Sequence, residues 1–229
     1  MDRRLLSRIE GQNGLVTKVQ AIEGGLTAKA VRCKVESGRW VRMHPGVYLT
    51  TPGRDDWETR ALAVLLHLGV PSALCGRSAA YLWGLVPSPG REIEVVVGST
   101  RNPDPVPGVQ VRRSRHAVRR THETAWPHRT DAENTVLDLA HGQSVDVMVG
   151  HLAKALQLRL TTARTLRAAL ADRPTQPSRS LLLEIVGDLD GGVESSAERR
   201  YVQDVETAHG LPVGRRQAPA PGGSRRDNL

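Results

Sequence analysis

An α+β fold in three parts is what this sequence predicts. A small N-terminal domain of helices and a hairpin covers 1–52, and a mixed α/β domain covers 53–175. A helical, incomplete segment covers 176–229. Three observations predict this layout. Short capped helical stretches crowd the first 38 residues and run straight into a Pro-Gly hairpin. Strand-like apolar runs alternate with helical periodicity in the middle of the chain. "TPGRDD" (51–56) and "RPTQPS" (173–178) are loop-forming breaks between the parts.

Taken in order, "RRLLSRIE" puts Leu5, Leu6 and Ile9 on one helical stripe. Thr17 is a good N-cap for a short helix that ends at Gly24-Gly25. Thr27 caps the next helix, which Gly38 stops. Two short helices joined by a glycine-containing turn form a helix-turn-helix. The basic hairpin "ESGRWVRMHPGVYLT" follows directly, with Trp40 and Val47 as its anchors to the helices. Together they predict a winged helix-turn-helix.

The middle part opens on a strong helix, "WETRALAVLLHLG", with Trp57, Ala61, Leu65 and Leu68 on one face. "SALCG" reads as a short buried strand, and "RSAAYLWGLV" as a short helix ending near Gly84. "EIEVVVG" and "VQVRRSR" are strands, separated by a proline-rich loop. Helices starting near Asp131, over 145–158 and over "TTARTLRAALADR" complete this part. "RSLLLEIVGDL" and "ESSAERRYVQDVETAHGLP" are the helices of the last part; Ser195 and Glu198 fit a capping box in the second.

Composition narrows the function. Lys and Arg total 32 against 24 Asp and Glu, a net charge of +8, and the pI is near 10.3. That balance favours a polyanionic partner, nucleic acid before an anionic membrane. Placement sharpens it, because residues 1–50 carry nine Lys or Arg and only four Asp or Glu. Cys33 and Cys75 have no metal-ligand or redox spacing, so neither a disulfide framework nor a zinc site is expected. The longest uncharged stretch, "ALAVLLHLGVPSALCG", is too short to span a bilayer. With no apolar run after Arg3-Arg4, the expected location is the cytoplasm. Phe is absent, so the core must be built from Leu, Val and Ala.

On the second helix of the pair, Ala28, Val31 and Val35 share the side that must pack inward. Lys29, Arg32, Cys33 and Glu36 share the opposite face, which a recognition helix would offer to a major groove. Lys29 and Arg32 are the candidate base or phosphate contacts, with Thr27 near a phosphate at the helix start. Arg39, Arg42 and His44 are the candidate contacts of the hairpin. The stretch 111–129 holds six arginines and three histidines against Glu123 alone. Its Arg112, Arg113, Arg115, Arg119 and Arg120 form either a second basic surface or an exposed strand end of no special role.

Other constellations carry no chemistry. His116, His122 and His128 are spaced six apart, which is not a metal-ligand pattern. Ser78 lacks a nucleophile-elbow context and is better placed as an N-cap, with Tyr81, Leu82 and Trp83 buried behind it. Asp131 caps a helix start that also carries Asn134 and Asp138. No phosphate-binding glycine loop is present. No residue is assigned a catalytic or metal-ligating role, and no cofactor is expected.

The order "GLVT", "SGRWVRMHPGVY", "RSAAYLWGL" and "NTVLDLA" resembles AbiEi-family antitoxins of type IV toxin–antitoxin, or abortive-infection, systems. The resemblance covers roughly residues 11 to 172. It implies a winged helix-turn-helix that binds double-stranded operator DNA as an autorepressor, two molecules together on a repeated operator. It also implies an α/β domain that meets a nucleotidyltransferase-like toxin. Relatives often carry arginines where this chain has Ala28 and Cys33. "GVESSAERRYVQDVETAHGLPVGRRQ" is similar to the lead-in to a very-short-patch-repair endonuclease-like domain in longer actinobacterial relatives. The alternative reading is therefore a truncated nuclease-fused member. Asp190, Glu194, Glu198, Asp204, Glu206 and Asp227 lie in no strand pair of the kind that two-metal cleavage needs.

Overall fold

Local capping sets the start of the chain. In the computed structural model, which describes residues 2 to 190, Asp2 caps α1 (Arg3–Gly11) by accepting from the Arg4 N–H. Thr17 and Gln20 close a reciprocal capping box on α2 (Lys18–Glu23). Thr27 accepts from the Ala30 N–H at 3.1 Å and opens α3 (Ala28–Glu36). Thr17 and Thr27 are thus N-caps, as the sequence predicts.

Between α1 and α2 lies β1 (Leu15–Thr17), a strand the sequence did not announce. It pairs antiparallel with β3 (Val47–Leu49), which in turn pairs with β2 (Val41–His44), so the sheet order is β1-β3-β2. The β2–β3 turn is Pro45-Gly46, and Gly46 takes φ +77°, open to glycine at little cost. The pairing slips between Arg42 and His44, a local irregularity beside the turn. Leu5, Ile9, Val16, Ala21, Val31 and Trp40 form the core between helices and sheet. Trp40 is buried in this core as the anchor it was expected to be, whereas Val47 is buried elsewhere, against Leu15, Leu49, Leu62 and Ala63. Ala28 is not. It is exposed, because the first helical turn has not yet reached the core, and Leu26 packs there instead.

Helix α4 (Trp57–Leu68) follows, capped by Asp56, whose carboxylate accepts from the Thr59 N–H at 2.8 Å. Beyond it come β4 (Ser72–Leu74), α5 (Gly76–Leu82), β5 (Ile93–Gly98), β6 (Val109–Ser114) and α6 (Ala132–Leu139). The second sheet has order β4-β5-β6, with β4 antiparallel and β6 parallel to β5. Ala61, Val64, Leu65 and Leu68 of α4 pack with Leu74, Ile93, Val95 and Val97 of this sheet. Leu62 and Ala63, on another side of α4, pack with Leu15, Val47 and Leu49 of the first sheet. The first break, at 51–56, therefore joins segments that share a core instead of separating two cores.

Ser78 corrects the sequence reading. It sits inside α5, fully buried, and its hydroxyl accepts from the Glu94 N–H at 2.9 Å, tying the helix to β5. Cys75 occupies the N-cap position, and Tyr81, Leu82 and Trp83 are only half-buried. Asp131 does cap, accepting from the Asn134 N–H at 2.7 Å.

The chain divides into two compact units, one ending at Asp138 and the other starting at Leu139. That division falls inside the segment read from sequence as one α/β domain. In the second unit, α7 (Val145–Gln157) and α8 (Ala163–Ala171) each pack on α9 (Arg179–Asp190). An Arg167–Asp190 ion pair at 2.9 Å links α8 to α9. The helix read over "ESSAERRYVQDVETAHGLP" and the acidic residues from Glu194 on lie outside the described residues.

Over the described residues the protein is thus mixed α+β with two small sheets, its core built chiefly from Leu, Val and Ala. Among the described residues, no helix is long and apolar enough to cross a membrane.

Candidate nucleic-acid interface

The outward face of α3 is set by which of its residues the core takes. Val31 is buried and Val35 half-buried, which turns Lys29, Arg32, Cys33 and Glu36 to solvent. Lys34 leaves that face: its ammonium lies 5.4 Å from the centroid of Trp40, a cation–π contact that ties the helix end to the hairpin. Thr27 is exposed, and its side-chain oxygen is committed to capping while the hydroxyl hydrogen can still donate. Among the described residues, Lys29 and Arg32 form no ion pair, so both charges are available to an incoming anion.

The hairpin separates its cations into two kinds. Arg39 is exposed, with Nε donating to the Ser37 hydroxyl at 3.2 Å. Arg42 is exposed on β2, the outer strand of the sheet, and forms no ion pair among the described residues. His44 differs from both. It is half-buried, and its ring stacks on His67 of α4 with centroids 5.2 Å apart and planes at 19°. His67 Nδ1 donates to the Pro45 carbonyl at 3.3 Å. On the other side of the turn, the Lys18 N–H donates to the Gly46 carbonyl at 2.8 Å. The tip of the hairpin is therefore held from both sides. Burial first, and then the charge of His67, lower the pKa of His44 below its ordinary value.

The second group of arginines is not one open surface. Arg112 pairs with Glu94 at 2.9 Å, and Arg113 reaches the Asn102 side chain at 3.5 Å. Arg115 Nε donates to His116 Nε2 at 3.1 Å. Arg119 lines a groove with Val70, Pro71, His122 and His128, and the Arg120 N–H bonds back to the His116 carbonyl. Nearby Arg129 lies 4.4 Å over the Trp83 ring, and burial lowers its pKa. Glu94 offsets one of these positive charges, while Asn102 is neutral and only orients another. His122 Nδ1 accepts from the backbone N–H groups of Thr124 and Ala125, a structural task for one of the three spaced histidines.

Sequence reasoning missed His67 and Lys34 as partners of the hairpin. His67 stands on a helix that starts after the predicted domain boundary, so no local pattern joined it to residue 44. Lys34 lies six residues before Trp40 and had only its charge to recommend it.

No protein-family model and no curated protein matches this chain. A solved structure does resemble it. The crystal structure of the RV2827C protein from Mycobacterium tuberculosis aligns with a TM-score of 0.50, covering 81% of this chain and 76% of that one. Identity over the alignment is 20%, and at that level the likeness is one of fold.

Proposed function

We propose that the first part of this chain is a winged helix-turn-helix that binds double-stranded DNA, and that the protein is an antitoxin-like transcriptional repressor of the AbiEi kind. One observation carries the DNA reading. The elements run α1-β1-α2-α3-β2-β3 with sheet order β1-β3-β2, and Lys29, Arg32 and Arg42 are exposed on the helix and hairpin that such a head would turn to DNA.

In this reading α3 enters the major groove. Lys29 and Arg32 reach base edges or nearby phosphates, where arginine pairs best with guanine. Thr27 donates its hydroxyl hydrogen to a phosphate at the helix start. Arg39 and Arg42 contact the flanking backbone. His44 is given to anchoring the hairpin, since its ring is already stacked on His67. The repressor binds as two copies on a repeated operator, and the α/β region meets a nucleotidyltransferase-like toxin; both rest on the family resemblance.

The test is binding to duplex DNA from the chain's own upstream region, followed by fluorescence anisotropy across a salt series. Four cations at phosphates would give a log–log slope of about −3 to −4. Affinity that does not change between low and moderate salt would remove the DNA reading.

A further inference from the structure

Within the proposed DNA-binding head, the part of the hairpin nearest α4 is fastened by a histidine that lies outside the head. The two rings are stacked at 5.2 Å, and His67 also donates to the carbonyl of Pro45 at the turn. A carbonyl only accepts, so Nδ1 of His67 carries a hydrogen in this arrangement. Further protonation of His67, at Nε2, leaves that bond intact. Protonation of His44 is different, because it places a charge on a half-buried ring facing a second imidazole.

Among the described residues, no acid forms an ion pair with that ring. The charged and titratable side chains on the elements packed around the turn are Arg42 on β2, Tyr48 on β3, Lys18 and Glu23 at the two ends of α2, and Glu58, Arg60 and His67 on α4. The acids among them are Glu58, nine residues before His67 and about 13 Å along the helix axis, and Glu23, at the far end of α2 and paired with Arg8 at 3.5 Å. His67 is the one charged side chain that perturbs His44.

We propose that His67 is a positioning residue for the DNA-contacting hairpin, and that protonation of His44 opens the His44–His67 latch and frees the hairpin. This rests on the DNA reading for its consequence, not for the latch itself. The sign follows from linkage. Because the latched ring binds a proton less readily than a free imidazole, the latch is fully held above the ordinary imidazole value of 6.5 and weakens as pH falls below it. A direct His44–phosphate contact would have the opposite sign, since a protonated ring would then strengthen binding in acid.

The experiment uses the full chain and reads hydrogen exchange at the Lys18 amide, which donates to the Gly46 carbonyl, and at the Val47 and Tyr48 amides of β3, at pH 7.5 and pH 5.0, corrected for intrinsic rates. The parent protein should lose protection in acid by roughly two- to fivefold, the size expected for charges on partly solvated rings. His44→Phe keeps a stacking ring and the His67–Pro45 bond but cannot take the proton, so it should stay protected at both values. His67→Ala should show the lowered protection at both. Equal protection of the parent at the two values, or an equal loss in His44→Phe, would overturn the latch. A second arm measures affinity for the upstream duplex under the same conditions. Weaker binding in acid for the parent but not for His44→Phe supports positioning, whereas tighter binding in acid overturns it. If no duplex binds at either pH while the exchange pattern is as expected, the latch stands and the DNA reading falls.

Discussion

At the scale of single residues, charge and burial divide the head into contact and support. Arg32 and Arg42 are both exposed but belong to different elements. Arg32→Ala is expected to change which duplex is preferred, while Arg42→Ala should weaken all duplexes about equally. Competition binding against a small panel of sequences checks this, and the reverse pattern would exchange the roles of helix and hairpin. Trp40 is support. It is 4% exposed, 6.1 Å from Tyr48 ring to ring, and covered by Lys34. Trp40→Ala should cost about 3–5 kcal/mol in urea unfolding, the range for emptying a large aromatic site. Trp40 as an anchor was legible in the sequence, because a lone large apolar residue among cations has to bury somewhere. His44 was not, since its partner lies 23 positions later and nothing local marks the pair.

At the scale of elements, the signals that could be read early were local ones. Thr17, Thr27, Asp56 and Asp131 all act as helix caps, and capping involves only neighbours two or three residues away. Strand β1 is three residues long and owes its existence to Val47–Leu49, so a local reading had nothing to find. Ser78 was misplaced because α5 starts at Gly76, three residues earlier than a serine cap would allow. Two consequences can be measured. Gly24, in the turn between α2 and α3, would place a new Cβ 2.7 Å from the Cβ of Leu5, too near the backbone of α1 to yield easily. Gly24→Ala should destabilise by about 1–3 kcal/mol in chemical unfolding, as overpacked sites do. Asp56 is held below its ordinary carboxylate pKa although burial opposes this, because the Thr59 N–H donates to it and Arg54 lies nearby. Its contribution is present above the ordinary carboxylate range and is lost as pH falls through the depressed value. Asp56→Ala should cost about 1 kcal/mol at neutral pH, and less in strong acid, where the parent has lost the same cap.

At the scale of the whole molecule, the net charge of +8 and the cluster of cations in the first fifth of the chain favour a polyanion at long range. The arginines after residue 111 add less than their number suggests, since Glu94 offsets the charge of Arg112. The predicted boundary at residue 52 looked sound because "TPGRDD" has loop composition, yet composition cannot report that Leu15, Val47 and Leu49 find cover on Leu62 and Ala63. A fragment ending at Pro52 leaves those three side chains in water, and its far-ultraviolet circular dichroism should be that of an unfolded chain. A fragment with native-like signal and a cooperative melt would show the head to be self-sufficient. Because α4 packs on both sheets, the head also behaves differently as a unit of inheritance than its loop composition implies. A recombination event, or an engineer exchanging this N-terminal part between chains, could not cut the chain at the loop. The exchangeable piece must run through Leu68, and the sheet that receives it must match the Ala61, Val64 and Leu65 side it presents.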